Sequence, residues 1–283
     1  QGARSRAADP VRDDVRWAQL MPTRTDILRG SEWAERLEQR LATAPANTAN
    51  WMEQHTRLLK SDTHSRVGLL RLSQQLCCLK LYLARSRLQK LGFRLGYGRG
   101  LRAFDRASEL ARRGLRVPRA LACLLVPEGM LLLTEGMAAS RDLRALWQDQ
   151  PGAEQATVLM HAAAETLAAL HGAGFAHGDC KWSNLLWCDG SCYLVDLEAV
   201  RDLTPDRSGQ LPLHPRQLRD LARFTVDAEE LGVDKTFYEL FLASYCAHSG
   251  CDRDRLVGAM QAALQTIRDR HWAKYGYPGD ALV

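Results

Sequence analysis

At 283 residues the chain is long enough for one large domain or two modest lobes with a full hydrophobic core. Its 46% hydrophobic and 25% charged residues are ordinary for a soluble protein, and no apolar run approaches the roughly 18–20 residues of a membrane span. The net charge of +5 is concentrated: from Arg85 to Arg119 eleven basic residues stand against Asp105 and Glu109, a local balance of +9.

That excess points to an anionic partner such as a membrane surface or a phosphorylated glycan. Aromatic residues at stacking spacing are missing from the segment, which argues against nucleic acid. The opening QGARSRAADP has no apolar core of the kind a secretory signal needs, so the expected compartment is the cytosol. Eight cysteines at scattered positions fit reduced, mostly buried thiols better than a disulfide framework. Cys246, His248 and Cys251 lack a fourth ligand and read as helix-end residues rather than a zinc site.

In chain order, residues 1–30 show little periodicity and read as a loosely ordered extension. SEWAERLEQRLATA predicts a helix over Ser31–Ala44 with Ser31 as N-cap. LLKS (58–61), VGLLRL (67–72) and QLCCLKLY (75–82) are short apolar runs between polar turns, the pattern of an antiparallel meander. GYGRG (96–100) reads as a flexible turn into a basic helix near Leu101–Arg113, closed by Gly114. Strands ALACLLV (120–126) and GMLLLTE (129–135) follow, joined by a Pro-Glu turn.

Apolar or small residues at 156, 159, 160, 163, 167 and 170 then mark one buried helix face, stopped by Gly172 and Gly174. After a loop comes the strand CYLVDLE, and helices fill most of Pro215–Arg270. The expected plan is α+β and bilobal, with a five-stranded antiparallel sheet and one helix before a mainly helical half. Its boundaries are an extension over 1–50, a small lobe over 51–137 and a large lobe over 138–283.

The loop HGDCKWSNLLW carries the chemistry. Phosphoryl transfer needs a group that orients and deprotonates the acceptor, a metal against the phosphates, and positive charge for the oxygens. Asp179 suits the first task, and Lys181 would point at the transferring phosphate. Asn184 and Asp196 offer the oxygen ligands that Mg²⁺ accepts, brought together if LLW and YLV form a hairpin. Lys80, in a strand expected to be buried, is costly there unless paired.

Taken together, LHGAGFAHGDCKWSNLLW and CYLVDLE resemble the catalytic loop and metal-binding strand of the protein-kinase-like superfamily. His177-Gly178-Asp179 stands where protein kinases have His-Arg-Asp, and Asp196-Leu197-Glu198 where they have Asp-Phe-Gly. The chain from about Trp51 onward is similar to the bacterial lipopolysaccharide core kinases, which phosphorylate heptose or Kdo sugars. The resemblance implies a protein-kinase-like fold, with ATP and Mg²⁺ as cofactors.

It further implies Asp179 as catalytic base, Lys181 as γ-phosphate partner, Asn184 and Asp196 as Mg²⁺ ligands, and His177 as a brace for the loop. Lys80 would meet the α/β-phosphates, with Glu109 or Asp105 as its acidic partner. Glu135 to Met137 would form the hinge that meets adenine, and Asp220 either holds the loop's backbone or sits on a helix surface. No GxGxxG precedes Lys80; SDTHSRVG occupies that turn.

Fewer than twenty residues separate Asp196 from LPLHPRQ, with no Ala-Pro-Glu motif, so a peptide platform is lacking and a sugar hydroxyl suits the open mouth better. The expected acceptor is a core glycolipid of lipopolysaccharide, or another anionic glycan, met peripherally at the cytoplasmic face of the inner membrane. An atypical serine/threonine protein kinase or a soluble small-molecule kinase would use the same active site. A nucleotide-binding scaffold without catalysis is disfavoured, because Lys80, Asp179, Asn184 and Asp196 are all present.

Overall fold

Short apolar runs in the first half and long amphipathic ones in the second sort the chain into two compact units. One comprises residues up to Leu101 with Leu121–Thr134; the other comprises Arg102–Ala120 with Glu135–Val283. The structure is a computed structural model and describes residues 25–42, 47–203, 213–276 and 279–283.

The first unit is built on strands β1 (Asp26–Arg29), β2 (Arg57–Ser61), β3 (Ser65–Leu72), β4 (Gln75–Leu83), β5 (Ala120–Val126) and β6 (Gly129–Glu135). They form one antiparallel sheet in the order β1-β5-β6-β4-β3-β2. The meander is in unbroken register from Ser65↔Tyr82 to Leu72↔Gln75, which puts Val67 opposite Lys80. Leu79, Leu81, Leu131 and Leu133 from the sheet are fully buried, against Leu37, Trp51 and Met52 from helices.

Six strands therefore stand where the sequence suggested five. The sixth, β1, lies inside the expected extension and pairs with β5 from Asp26↔Leu125. Its four residues are mostly exposed and carry no apolar alternation, so pairing with a buried neighbour, not pattern, makes it a strand. The rest of that extension, residues 1–24, lies outside the described residues.

Gly30 follows β1 at φ +67°, where an added Cβ would lie 1.9 Å from the Leu121 carbonyl oxygen. This glycine, not Ser31, is the N-cap of helix α1 (Ser31–Leu41), since the left-handed turn leaves no side-chain cap. Helix α2 (Thr48–His55) is capped by Asn47, whose side chain accepts the N–H groups of Ala49 and Asn50.

Two helices, not one, separate β4 from β5: α3 (Arg87–Arg94) and α4 (Arg99–Arg112). The GYGRG stretch between them is no flexible turn. A Cβ at Gly98 would stand 2.4 Å from Met130 Cε, and Met130 Sδ accepts the Leu101 N–H at 3.1 Å. Close packing on β6 thus fixes the start of α4. Gly114, at φ +77°, ends that turn as expected, with the Leu115 N–H returning to the Leu110 carbonyl at 3.0 Å.

The second unit contains α5 (Leu143–Gln148), α6 (Ala153–Gly172), α7 (Pro215–Glu230), α8 (Lys235–Ser249) and α9 (Arg253–Tyr275). All six positions of the expected α6 face are buried: Ala156, Leu159, Met160, Ala163, Leu167 and Leu170. Short strands β7 (Arg141–Asp142), β9 (Leu185–Cys188) and β10 (Ser191–Leu194) form one ribbon, and β8 (Phe175–Ala176) with β11 (Arg201–Asp202) a second. The strand expected over CYLVDLE stops at Leu194, two residues before Asp196. The eight cysteines form no disulfide, and Cys77, Cys123, Cys180, Cys188 and Cys192 are buried. His248 bonds the Ser244 carbonyl one turn back in α8, as a helix-end residue does.

Candidate active site

The functional loop begins where β8 pairs with β11, at Arg201↔Ala176, so His177 leaves a paired strand. Its imidazole is fully buried, with Nε2 3.0 Å from the Val195 carbonyl oxygen, which ties the loop to the chain just before Asp196. A ring nitrogen facing a carbonyl must carry the proton, and burial pushes the His177 pKa down, so the neutral ring is the form that fits.

Asp220 on α7 supplies the main anchor. One carboxylate oxygen accepts the His177 N–H at 2.5 Å and the other accepts the Gly178 N–H at 2.9 Å. Only 2% of Asp220 is exposed, so it is the backbone holder and not a helix-surface residue. Behind it His171 Nε2 stands 3.5 Å from Asp220, while Nδ1 meets the Tyr245 hydroxyl at 2.8 Å.

Asp227 is a second buried acid and accepts the Trp182 N–H at 2.9 Å. Burial pushes its carboxyl up, opposed by Arg223 at 2.7 Å. The Trp182 indole donates to the Phe224 carbonyl at 3.0 Å and stacks on the Phe224 ring. Neither residue was foreseen as a brace. A signal existed: Asp220, Phe224 and Asp227 follow i, i+4, i+7 spacing, which sets both acids on the apolar face of α7.

Between these anchors three of the predicted site residues converge. Asp179 Oδ2 lies 2.9 Å from Lys181 Nζ and accepts Asn184 Nδ2 at 3.2 Å. The same Asn184 nitrogen donates to the Asp179 backbone carbonyl at 2.8 Å, which turns its amide oxygen the other way. Asp179 and Lys181 are about two-fifths and one-third exposed. Cys180 beside them is fully buried, and burial pushes its thiol well above the ordinary value, so it packs and does not react.

The expected hairpin after Asn184 is present. Leu194↔Leu185 closes the β9–β10 pair, and the Val195 N–H reaches the Asn184 carbonyl at 3.0 Å. Asn184 and Asp196 thus flank the open end of one hairpin, opposite its Asp189-Gly190 turn. Asp196 adopts φ +61°, a left-handed conformation that a non-glycine residue rarely holds without a reason. Two hard oxygen donors on adjoining backbone suit Mg²⁺, which takes one or two from protein and the rest from phosphate and water.

The remaining predicted residues have these surroundings. In the first unit the half-buried Lys80 places Nζ 4.7 Å from the Tyr82 ring centre. In the second unit the Glu109 carboxylate receives Arg113 Nε at 3.0 Å and the Arg112 guanidinium. Glu135 ends β6 with its N–H on the Arg119 carbonyl at 2.8 Å, and the Met137 carbonyl accepts the Ser140 hydroxyl at 3.0 Å. Most of the segment after Asp196 that bears on the acceptor, 204–212, is outside the described residues.

A sequence profile of the lipopolysaccharide kinase (Kdo/WaaP) family matches residues 49–238, two thirds of the chain. The chain belongs to this family. It is a phosphotransferase acting on hydroxyl groups. The solved structure of WaaP in complex with acyl carrier protein is similar to this lipopolysaccharide kinase, with 18% identity and a TM-score of 0.54. The likeness covers 89% of this chain and 99% of that one, and it shows the protein-kinase-like fold. A glucosamine kinase structure also matches, at 14% identity, a TM-score of 0.45, and 74% and 72% of the two chains. No curated protein sequence matches the kinase.

Proposed function

We propose that this lipopolysaccharide kinase transfers the γ-phosphate of ATP, with Mg²⁺, to a sugar hydroxyl of the lipopolysaccharide inner core at the cytoplasmic face of the inner membrane. The observation that carries the reading is the Asp179 carboxylate, with one oxygen held by both Lys181 and Asn184 on a loop braced by two buried acids.

Asn184 and Asp196 would hold Mg²⁺, which neutralises charge on the phosphates when bound. With Oδ2 fixed, Oδ1 of Asp179 is the oxygen that meets the acceptor. The acceptor oxygen bonds to phosphorus, the bond from phosphorus to the departing ADP oxygen breaks, and the hydroxyl proton passes to Asp179. The Lys181–Asp179 contact is partly exposed and therefore worth about 1 kcal/mol or less, so Lys181 is easily drawn off toward a phosphate. Lys80 would meet the α/β-phosphates, and Glu135 and Met137 would flank adenine.

The short segment after Asp196 and the +9 balance of residues 85–119 favour a phosphorylated, lipid-anchored glycan over a peptide. Because WaaP was solved with acyl carrier protein, that protein is a partner to test with this chain. Labelled ATP offered with core glycolipid, delipidated core, proteins and small sugars separates the acceptor classes. Phosphorus NMR of core glycan from cells carrying the wild type or Asp179→Asn should show a phosphate lost in the variant, which still binds ATP. Full transfer by Asp179→Asn, or labelling of protein alone, overturns the assignment.

A further inference from the structure

Helix α3 is turned inside out for a helix on a globular unit. At 100° per residue Leu88, Leu91 and Leu95 fall on one narrow stripe, and Phe93 falls on the opposite side. Phe93 is the side that packs, at 3% exposure. The leucine stripe faces outward, with Leu88 at 81%, Leu91 at 45% and Leu95 at 65%, followed by Tyr97 at 76%. Single exposed leucines are ordinary, but three on one stripe with a tyrosine beyond form a patch.

The adjoining stripe is cationic: Arg87, Lys90 and Arg94 repeat with i, i+3, i+7 spacing. From Arg85 to Arg102 there are six cations and no acid. The patch is also rigidly presented. Ser86 caps the helix by accepting the Gln89 N–H at 3.1 Å, and Gln89 Oε1 returns to the Arg85 N–H at 2.8 Å. At the other end the Tyr97 N–H closes on the Gly92 carbonyl at 2.7 Å, and Gly98 and Gly100 pack on Met130.

We propose that α3 and the turn after it form an interfacial docking element for an anionic lipid bilayer, with Leu88, Leu91, Leu95 and Tyr97 immersed and the flanking cations at the headgroups. This deepens the proposed activity on a membrane-anchored acceptor and rests on that reading for its purpose. Apolar immersion beside basic side chains is the chemistry of surface-lying amphipathic helices. Among the described residues no helix is long and apolar enough to cross a membrane, so this face lies on a bilayer and does not span it. A second copy is a poor occupant, because a two-fold interface would set the same six cations against each other.

The test is sedimentation of the purified chain with phosphatidylcholine vesicles, with and without phosphatidylglycerol, in the absence of ATP. The wild type should pellet with the anionic vesicles, at least about tenfold better than with neutral ones, and less so in high salt. L88D/L91D and K90E/R94E should each lower binding about tenfold or more, since each cation at such a surface contributes roughly fivefold. Their thermal unfolding and their transfer to delipidated core should match the wild type.

Failure of the wild type to bind anionic vesicles, or wild-type binding by both variants, overturns the proposal. So does a wild-type dimer that L88D/L91D converts to a monomer, or acyl carrier protein capture that both variants lose while vesicle binding stays unchanged. Vesicle binding without any phosphorylation of core would instead sink the proposed reaction and leave the docking element standing.

Discussion

Asp220 accepts the Gly178 N–H at 2.9 Å from a helix that lies more than forty residues further along the chain. Its other oxygen takes the His177 N–H, so one buried carboxylate fixes two successive peptides next to Asp179. Hydrogen bonds to a buried charge are worth about 1.5–3 kcal/mol, and losing their acceptor strands both donors. Asp220→Ala should lower stability by about 3 kcal/mol in urea unfolding and transfer by about 10²-fold. Asp220→Asn keeps the shape but turns an NH₂ toward one donor, and should fall in between. Unchanged turnover in Asp220→Ala would show that the loop holds itself.

The His177 ring gives a pH signature. Burial lowers its folded pKa below the ordinary imidazole value, while the unfolded chain takes up the proton near pH 6.5. The stability tied to the neutral ring is therefore fully present above about pH 6.5 and is lost as pH falls toward the depressed folded value. Its slope is at most about 1.4 kcal/mol per pH unit. Urea midpoints between about pH 5 and 8 should decline on the acid side, and less steeply in His177→Gln, which cannot take up that proton. Parallel declines would assign the acid limb elsewhere.

What the sequence made legible follows from which forces are local. The β3–β4 meander and the α6 face carry their own periodicity, so their strands and buried positions could be read directly. Asp179, Lys181, Asn184 and Asp196 sit within eighteen residues, and their convergence needs only a short turn and the β9–β10 hairpin. What was missed depends on distant partners. β1 exists because β5 offers it an edge, and Asp227 acts through Trp182, forty-five residues away. The GYGRG stretch looked flexible because glycine is permissive, whereas Met130 had left no room for anything larger at Gly98.

Glu229, with 1% of its side chain exposed, receives Arg268 Nε at 3.0 Å and the Leu282 N–H at 3.0 Å. Arg268 also donates to the Val283 carbonyl at 3.0 Å, so the pair clamps Leu282 and Val283 onto α7 and α9. Removing one member leaves a buried charge without its partner, which costs about 3–5 kcal/mol. Glu229→Ala and Arg268→Ala should each lower the melting temperature sharply, and the double variant by less than their sum. Additive effects would mean that the two residues act separately.

Gly178 occupies the place where protein kinases carry arginine, and the backbone supplies the reason. It sits at φ +82°, and a Cβ there would come within 2.6 Å of the Ala199 carbonyl oxygen. An L-residue in that conformation costs about 1–2 kcal/mol before any clash. The loop has little freedom to relax, because Asp220 grips the peptides at His177 and Gly178. The strain should pass forward to Asp179, the next residue, where a displacement of about 1 Å is enough to cost about 10²-fold in rate. Gly178→Ala should therefore reduce turnover by about that factor with little change in the KM for ATP, and Gly178→Arg should do so more severely. Wild-type turnover in Gly178→Arg would show that the loop tolerates the protein-kinase residue, and that Asp179 is not held through its neighbour's backbone.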